Sequence, residues 1–509
     1  MSESRTANAK RNIIIGTINK VIQLGLPFVI RTVIIWKLGA EYLGLGSLFT
    51  SILQVLNMAE LGFSSAIIFS LYKPLAEKDT EKICALMALY RRIYHIIGYC
   101  ILLAGLVLLP FLPRLIKGDY PADINIYILY LLYLVNTVIS YLAFAYKSVL
   151  LTASQRQDVI SSIEFVFALC RGAFQILVLF MFKDFYLYVI GNVLYTVCYN
   201  LCINRKTKKM FPMYICKGTI SKDEKRQITK QIGGLAIGKI CLTTRNSFDS
   251  IILSLFCGLV DVAIFSNYFY VITAVQGLSG IILMSISAGI GNSVATESKE
   301  KNYRDLKKFN FYFAWISSWC AICMLCLYQP FMILWVGKDL TAPFLVAVLF
   351  CLYFYVGQMG QIRALYSNAY GVWWEFRYFS IFEAITNLIF DFVLGYFFGM
   401  KGIVLVTVIT MFLFSIVGIS IKTFKLCFER SAKEYFIWIV VYFTVTLFAA
   451  SLTLFLCDLF PIQNILGLIC RLVVCMIIPN MIFAIISLCS KEYRGFLQFF
   501  VKNYLRIKN

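Results

Sequence analysis

The sequence predicts an all-α integral membrane protein with about fourteen transmembrane helices, and three observations predict it. Of its 509 residues, 60% are apolar and only 14% charged, with a mean hydropathy of +0.80, whereas soluble chains lie nearer half apolar and a quarter charged. Apolar runs of roughly 20 residues recur from end to end, each long enough to cross a hydrocarbon core of about 30 Å. Lipid offers the backbone no hydrogen bonds, so such runs must be helices. Many of the 31 tyrosines also fall near the ends of these runs, where amphipathic rings favour the membrane interface.

In chain order the expected spans are 13–37, 43–71, 86–113, 124–150, 158–182, 185–203, 232–257, 262–294, 309–335, 342–366, 378–399, 402–424, 435–457 and 463–488. The first begins after Lys10-Arg11 as a signal peptide would. It continues to Leu38, is interrupted by Lys20 and Arg31, and has no small-residue cleavage site, so it reads as a retained span. The longest entries, 43–71 and 262–294, imply tilt or helix beyond the bilayer.

The basic residues test this layout independently. With the N-terminus in the cytoplasm, 35 of the 47 Lys and Arg fall on inward segments or their flanks, six on outward segments and six within spans. That asymmetry is the positive-inside pattern, and it puts both termini in the cytoplasm. It also accounts for the net charge of +21 without nucleic acid, since basic loops beside a membrane serve topology and anionic headgroups.

The most basic loop, Asn204 to Lys230, divides the chain, and the sequence repeats on either side of it. Ile18-Asn19-Lys20 matches Ile237-Gly238-Lys239, Leu38-Gly39 matches Cys257-Gly258, and the charged run from Glu77 to Lys82 matches that from Glu297 to Lys301, all at an offset of about 219 residues. An even number of spans separates the copies, so they share one orientation, and parallel repeats place a substrate site near mid-membrane. The expected domains are an N-terminal six-helix lobe over 1–203, a basic linker over 204–230, a second six-helix lobe over 231–430, and two added helices with a basic tail over 431–509.

Cofactor chemistry finds little support. The seventeen cysteines lie almost wholly within spans, and Cys320, Cys323 and Cys326 drift around one apolar helix as packing residues do. His95, the only histidine, sits beside Arg91-Arg92 near an inward helix end. No metal, cofactor or catalytic triad is expected, and no G-x-x-x-x-G-K-[ST] loop binds ATP.

The run Leu38-Gly39-Ala40-Glu41-Tyr42-Leu43-Gly44-Leu45, followed by Leu56-Asn57-Met58-Ala59-Glu60-Leu61-Gly62-Phe63, resembles the opening of bacterial polysaccharide (Wzx-like, O-antigen) flippases of the multidrug/oligosaccharidyl-lipid/polysaccharide exporter superfamily. In that family a Leu-Gly-x-x-x-x-Gly turn joins the first two spans and a Leu-Gly step, usually after an acid, closes the second. Glu60 stands where Asp is more familiar. The resemblance implies two six-helix lobes in a V with two extra C-terminal helices. It also implies export of undecaprenyl-diphosphate-linked oligosaccharide by alternating access, with membrane lipids and polysaccharide-biosynthesis proteins as partners.

Charges inside spans default to function or pairing. A diphosphate carries about two negative charges and suits bidentate Arg, so Lys20, Arg171, Lys239 and Arg245 are candidates to line a basic cavity for it. Arg31 is a weaker member because it can snorkel outward. The competing reading is structural pairing: Arg245 with Asp249, four residues apart, and Arg171 with Glu164, seven apart. Arg471, in the added helices, reads as helix packing. Glu60, Asp249 and Asp391 are candidates for proton or sodium coupling, with Glu383, Asn387 and Asp391 forming a polar stripe that must face a bundle interior. Gly289 and Gly291 most simply allow close helix packing.

A lipid II flippase and a cation-coupled drug or metabolite exporter on the same fold are alternative readings. A polymerase or glycosyltransferase is disfavoured because every outward loop is short and no polar stretch exceeds the Asn204–Lys230 loop.

Overall fold

The computed structural model describes residues 22–60, 63–460 and 465–489, which are helical almost throughout and include no strand. Helices α1 (22–37) and α2 (Ala40–Leu56) are followed by a 3-10 turn, Asn57–Glu60, and by α3 (Phe63–Glu77), α4 (Thr80–Leu108), α5 (Ile126–Leu142) and α6 (Lys147–Ala153). Then come α7 (Gln157–Met181), α8 (Phe185–Met210), α9 (Lys222–Phe256), α10 (Leu259–Thr296) and α11 (Lys299–Val336). The remainder comprises α12 (Phe344–Met359), α13 (Gln361–Ala369), α14 (Arg377–Phe398), α15 (Met400–Thr410), α16 (Ile419–Thr423), α17 (Lys433–Cys457) and α18 (Ile465–Cys489).

Ten of these helices are long and apolar enough to cross a membrane, or eleven if α5 and α6, bent by 54°, form one span. Large apolar side chains such as Trp36, Leu103, Met181, Phe397 and Phe448 stand exposed, a surface that hydrocarbon solvates and water would not. The protein is a multi-pass α-helical membrane protein. The expected second span, 43–71, is interrupted at Asn57–Glu60, which leaves α2 apolar but short. From α15 to Phe428 the helix twice widens to π geometry, at Met411–Gly418 and Phe424–Phe428, a departure that recurs at functional sites.

The turns of the sequence repeat are built alike. Gly39 (φ +121°) and Gly258 (φ +103°) each end a helix with a positive φ that a side chain would strain. In each turn the residue before the glycine and the glycine itself donate to one carbonyl, Ile34 O for the first and Leu253 O for the second. One span later, Asp79 and Ser298 cap α4 and α11 by accepting from the backbone N–H of Lys82 and Lys301. Both correspondences hold at 219 residues.

The chain divides into two compact units, one ending at Ser266 and one beginning at Asn267. In the first, Leu45, Leu48, Phe49, Tyr90, Tyr130 and Leu134 share one buried core, and α9 packs along α2 and α3. Gly44 permits a close approach there, since a Cβ would lie 2.0 Å from the backbone oxygen of Leu259. In the second unit α11 packs against α12, α17 and α18. Gly289 and Gly291 do not serve close packing as expected: a Cβ at either meets nothing within 4 Å, because that stretch of α10, including Met284 at 79% exposure, faces outward from its unit.

Candidate functional site

The first unit gathers two of the expected cations. At Gly172, α7 lies so near α1 that a Cβ would come within 2.5 Å of Leu26 Cδ1. The neighbouring Arg171 is half-buried, its guanidinium stacked over the Tyr195 ring at 4.5 Å, a geometry that favours a cation on the ring face. Its Nε is buried without a hydrogen-bond partner, and it forms no ion pair among the described residues. Glu164, the carboxylate that could have paired with it, instead accepts from Gln23 Nε2 at 2.8 Å. Arg31, also half-buried, donates from Nη1 to Ser266 Oγ at 3.1 Å. Tyr188 lies within electrostatic reach of both arginines. Its strand of contacts is fixed by Gln175, whose Nε2 donates to Tyr188 O and Asn192 Oδ1, each at 3.1 Å.

The α9 candidates differ in burial. Lys239 is exposed, Arg245 is half-buried, and Asp249 is 5% exposed. Thr244 donates to Met58 Sδ at 3.5 Å and Ser247 to Gln54 Oε1 at 3.2 Å, fixing this face of α9 on α2 and the following turn. Lys20 lies outside the described residues.

Glu60 sits where the second span breaks, in a cage of hydroxyls. Its Oε1 accepts from Ser64 Oγ at 2.8 Å and from Tyr94 Oη, and its Oε2 accepts from Tyr141 Oη at 2.8 Å. Tyr90 Oη lies 2.7 Å from Ser64 Oγ. No basic side chain is among the hydrogen-bond partners of Glu60 in the described residues, so its charge, when present, is held by hydrogen bonds alone. The tyrosines at 90 and 94, one turn apart on an apolar helix, were the available sequence signal. Tyr141 comes from a different span, and no spacing reveals it.

In the second unit Glu383, Asn387 and Asp391 are all buried on one side of α14. Asn387 Nδ2 donates to Thr407 Oγ1 at 3.2 Å, joining that stripe to α15. Arg363, which falls within the expected span 342–366 but is not among the candidate cations, is 3% exposed within the bundle, on α13 just beyond Gly360. Its Nε and Nη1 are buried without hydrogen bonds, and Glu383 and Tyr435 are its electrostatic neighbours. Lys147 is likewise buried, at the bend between α5 and α6. Arg471 has a packing role: its Nε donates to Phe460 O at 3.0 Å and its Nη2 lies 3.6 Å from Asp458 Oδ1.

A family model described as polysaccharide biosynthesis protein matches residues 9–288. The chain belongs to that family. No curated protein sequence matches it. Among solved structures, the lipid II flippase MurJ in an inward closed conformation aligns over 95% of this chain and 100% of its own, at 13% identity and a TM-score of 0.67. An inward-facing multidrug resistance MATE family transporter of the MOP superfamily aligns over 80% of this chain and 96% of its own, at 14% identity and a TM-score of 0.59. The Vibrio cholerae MATE transporter VcmN in its bent form aligns over 83% and 98%, at 15% identity and a TM-score of 0.52. At such identities the likeness is one of fold. This polysaccharide biosynthesis family member therefore has the all-α fold of the exporter superfamily that its opening motif resembles. Its structural relatives are flippases and transporters.

Proposed function

We propose that this protein flips undecaprenyl-diphosphate-linked oligosaccharide, such as an O-antigen unit, from the inner to the outer leaflet of a bacterial inner membrane. Its termini lie in the cytoplasm, and it works by alternating access without enzymatic chemistry. The observation that carries the reading is Arg171, together with the family match. A guanidinium within a span, stacked on Tyr195 with a buried Nε that has no hydrogen-bond partner and with no carboxylate pair among the described residues, is oriented before any ligand arrives. Its planar fork is suited to the oxygens of a diphosphate. Arg31 adds positive charge near Tyr188, while Lys20, Lys239 and Arg245 are further candidates along the transport route. Glu60, Asp249 and Asp391 are the candidates for proton or sodium coupling. Of these, Glu60 has both carboxylate oxygens held by the hydroxyls of Ser64, Tyr94 and Tyr141, groups that can donate or accept.

Lipid II carries the same polyprenyl diphosphate chemistry, and a cationic drug would need the opposite electrostatics. Proteoliposomes offered a fluorescent undecaprenyl-diphosphate oligosaccharide, lipid II or a cationic dye separate the three. The proposal expects flipping of the oligosaccharide lipid at a rate well above lipid II and no dye transport. Dye transport alone would replace it with a multidrug exporter, and lipid II alone with a peptidoglycan-precursor flippase.

A further inference from the structure

The two added helices bring together a group of thiols that no sequence spacing announces. Cys326 on α11, Cys457 at the end of α17 and Cys475 on α18 are all buried, and their three Sγ atoms lie within 4.8 Å of one another. Cys457 and Cys475 are 3.9 Å apart at sulfur, roughly twice the 2.05 Å of a disulfide, and all three are free thiols. Around them pack Ile322, Ala449 and Ala450, whose small alanines let α17 approach. Arg471 adjoins the group: the Cys457 thiol donates to its carbonyl at 3.8 Å, and its side chain is 6% exposed.

We propose that Cys326, Cys457 and Cys475 form a trigonal thiolate site for a soft monovalent metal ion of the Cu(I) class. Metal–sulfur bonds of about 2.3 Å arranged trigonally put the sulfurs about 4 Å apart, close to the observed 3.9 Å between Cys457 and Cys475. Soft thiolates select Cu(I). Zinc wants a fourth ligand, and the group offers no histidine or carboxylate: Asp458, the nearest acid in sequence, is 75% exposed and turned to Arg471. Coordination of one monovalent ion by three thiolates releases three thiol protons and leaves a centre of net charge −2. A buried charge is costly unless compensated; the Arg471 guanidinium, 3.6 Å from Asp458 Oδ1, is an electrostatic neighbour of Cys457 and offsets part of it. The ion would tie α17 and α18 to α11 within the second unit.

The test is a titration of the full-length protein in detergent, reduced and anaerobic, with Cu(I) against bathocuproine disulfonate. The proposal expects one tightly held ion, an apparent affinity that rises with pH as thiol protons are displaced, and three sulfur neighbours by X-ray absorption. Cys326→Ser and Cys475→Ser should each weaken binding by at least the roughly hundredfold that losing an outer-sphere partner can already cost. Cys100→Ser, at an exposed thiol, should bind as wild type. Cu(I) should also raise the unfolding temperature of wild type and leave that of Cys326→Ser unchanged. Wild type that takes no Cu(I) from the competitor overturns the proposal without reference to any variant's folding. So do variants that bind as wild type, coordination by two sulfurs, or a Cys457–Cys475 disulfide in the purified protein.

Discussion

Arg171 makes its case through what surrounds it. Its guanidinium is stacked on Tyr195, Glu164 accepts from Gln23, and no ion pair to Arg171 occurs among the described residues. Arg171→Ala should therefore lower oligosaccharide-lipid flipping by about ten- to a hundredfold, the scale of one or two charge-assisted hydrogen bonds, while flotation and melting of the variant stay near wild type. Glu60 predicts a different signature. Glu60→Gln keeps the size of the side chain and loses the exchangeable proton, so flipping should lose its response to an imposed pH gradient. A gradient response that survives in Glu60→Gln would move coupling to another acid. For Arg363, a double-mutant cycle with Arg363→Met and Glu383→Gln should give a coupling of about 0.5–3 kcal/mol in thermal unfolding, and zero coupling would separate the two. These residues also mark how far a sequence can be read. Arg171, Glu60 and the buried stripe of α14 were visible because charge inside an apolar run is conspicuous. Tyr195, Tyr141 and the true surroundings of Arg363 were not, since each depends on how one helix packs against another.

Among the elements, the opening motif has a physical meaning that spacing alone did not supply. Gly39 adopts a φ of +121°, and Gly44 lets the backbone of Leu259 approach to where a Cβ would sit. Gly44→Ala should cost about 1–3 kcal/mol, as overpacking does, and lower the unfolding temperature more than Gly238→Ala, which meets open space. The helices themselves were legible because hydrocarbon length and backbone satisfaction leave little choice of structure. Their interruptions were not. The 3-10 turn at Asn57–Glu60, the 54° bend between α5 and α6, and the π turns after Thr410 sit in apolar stretches where neither proline nor a polar run announces them.

For the whole molecule, the charge of the proposed substrate makes the membrane potential one energy source to test. Carrying about two negative charges outward, down an interior-negative potential of about 100 mV, releases about 4.6 kcal/mol, so flipping should accelerate when valinomycin and potassium set negative the lumen of a vesicle in which the cytoplasmic face of the protein is inside. A rate indifferent to that potential would mean the charge is neutralised in transit. The family and the fold were within reach of the sequence, through the repeat and the motif at Leu38–Phe63. The sugar carried is not encoded in either. The most direct test of the central claim is the flipping rate of a fluorescent undecaprenyl-diphosphate oligosaccharide in proteoliposomes bearing wild type, Arg171→Ala or Arg171→Lys. The account predicts robust flipping by wild type, near-loss in Arg171→Ala and partial rescue in Arg171→Lys. Equal rates in all three, with equal insertion, would contradict a diphosphate held by Arg171.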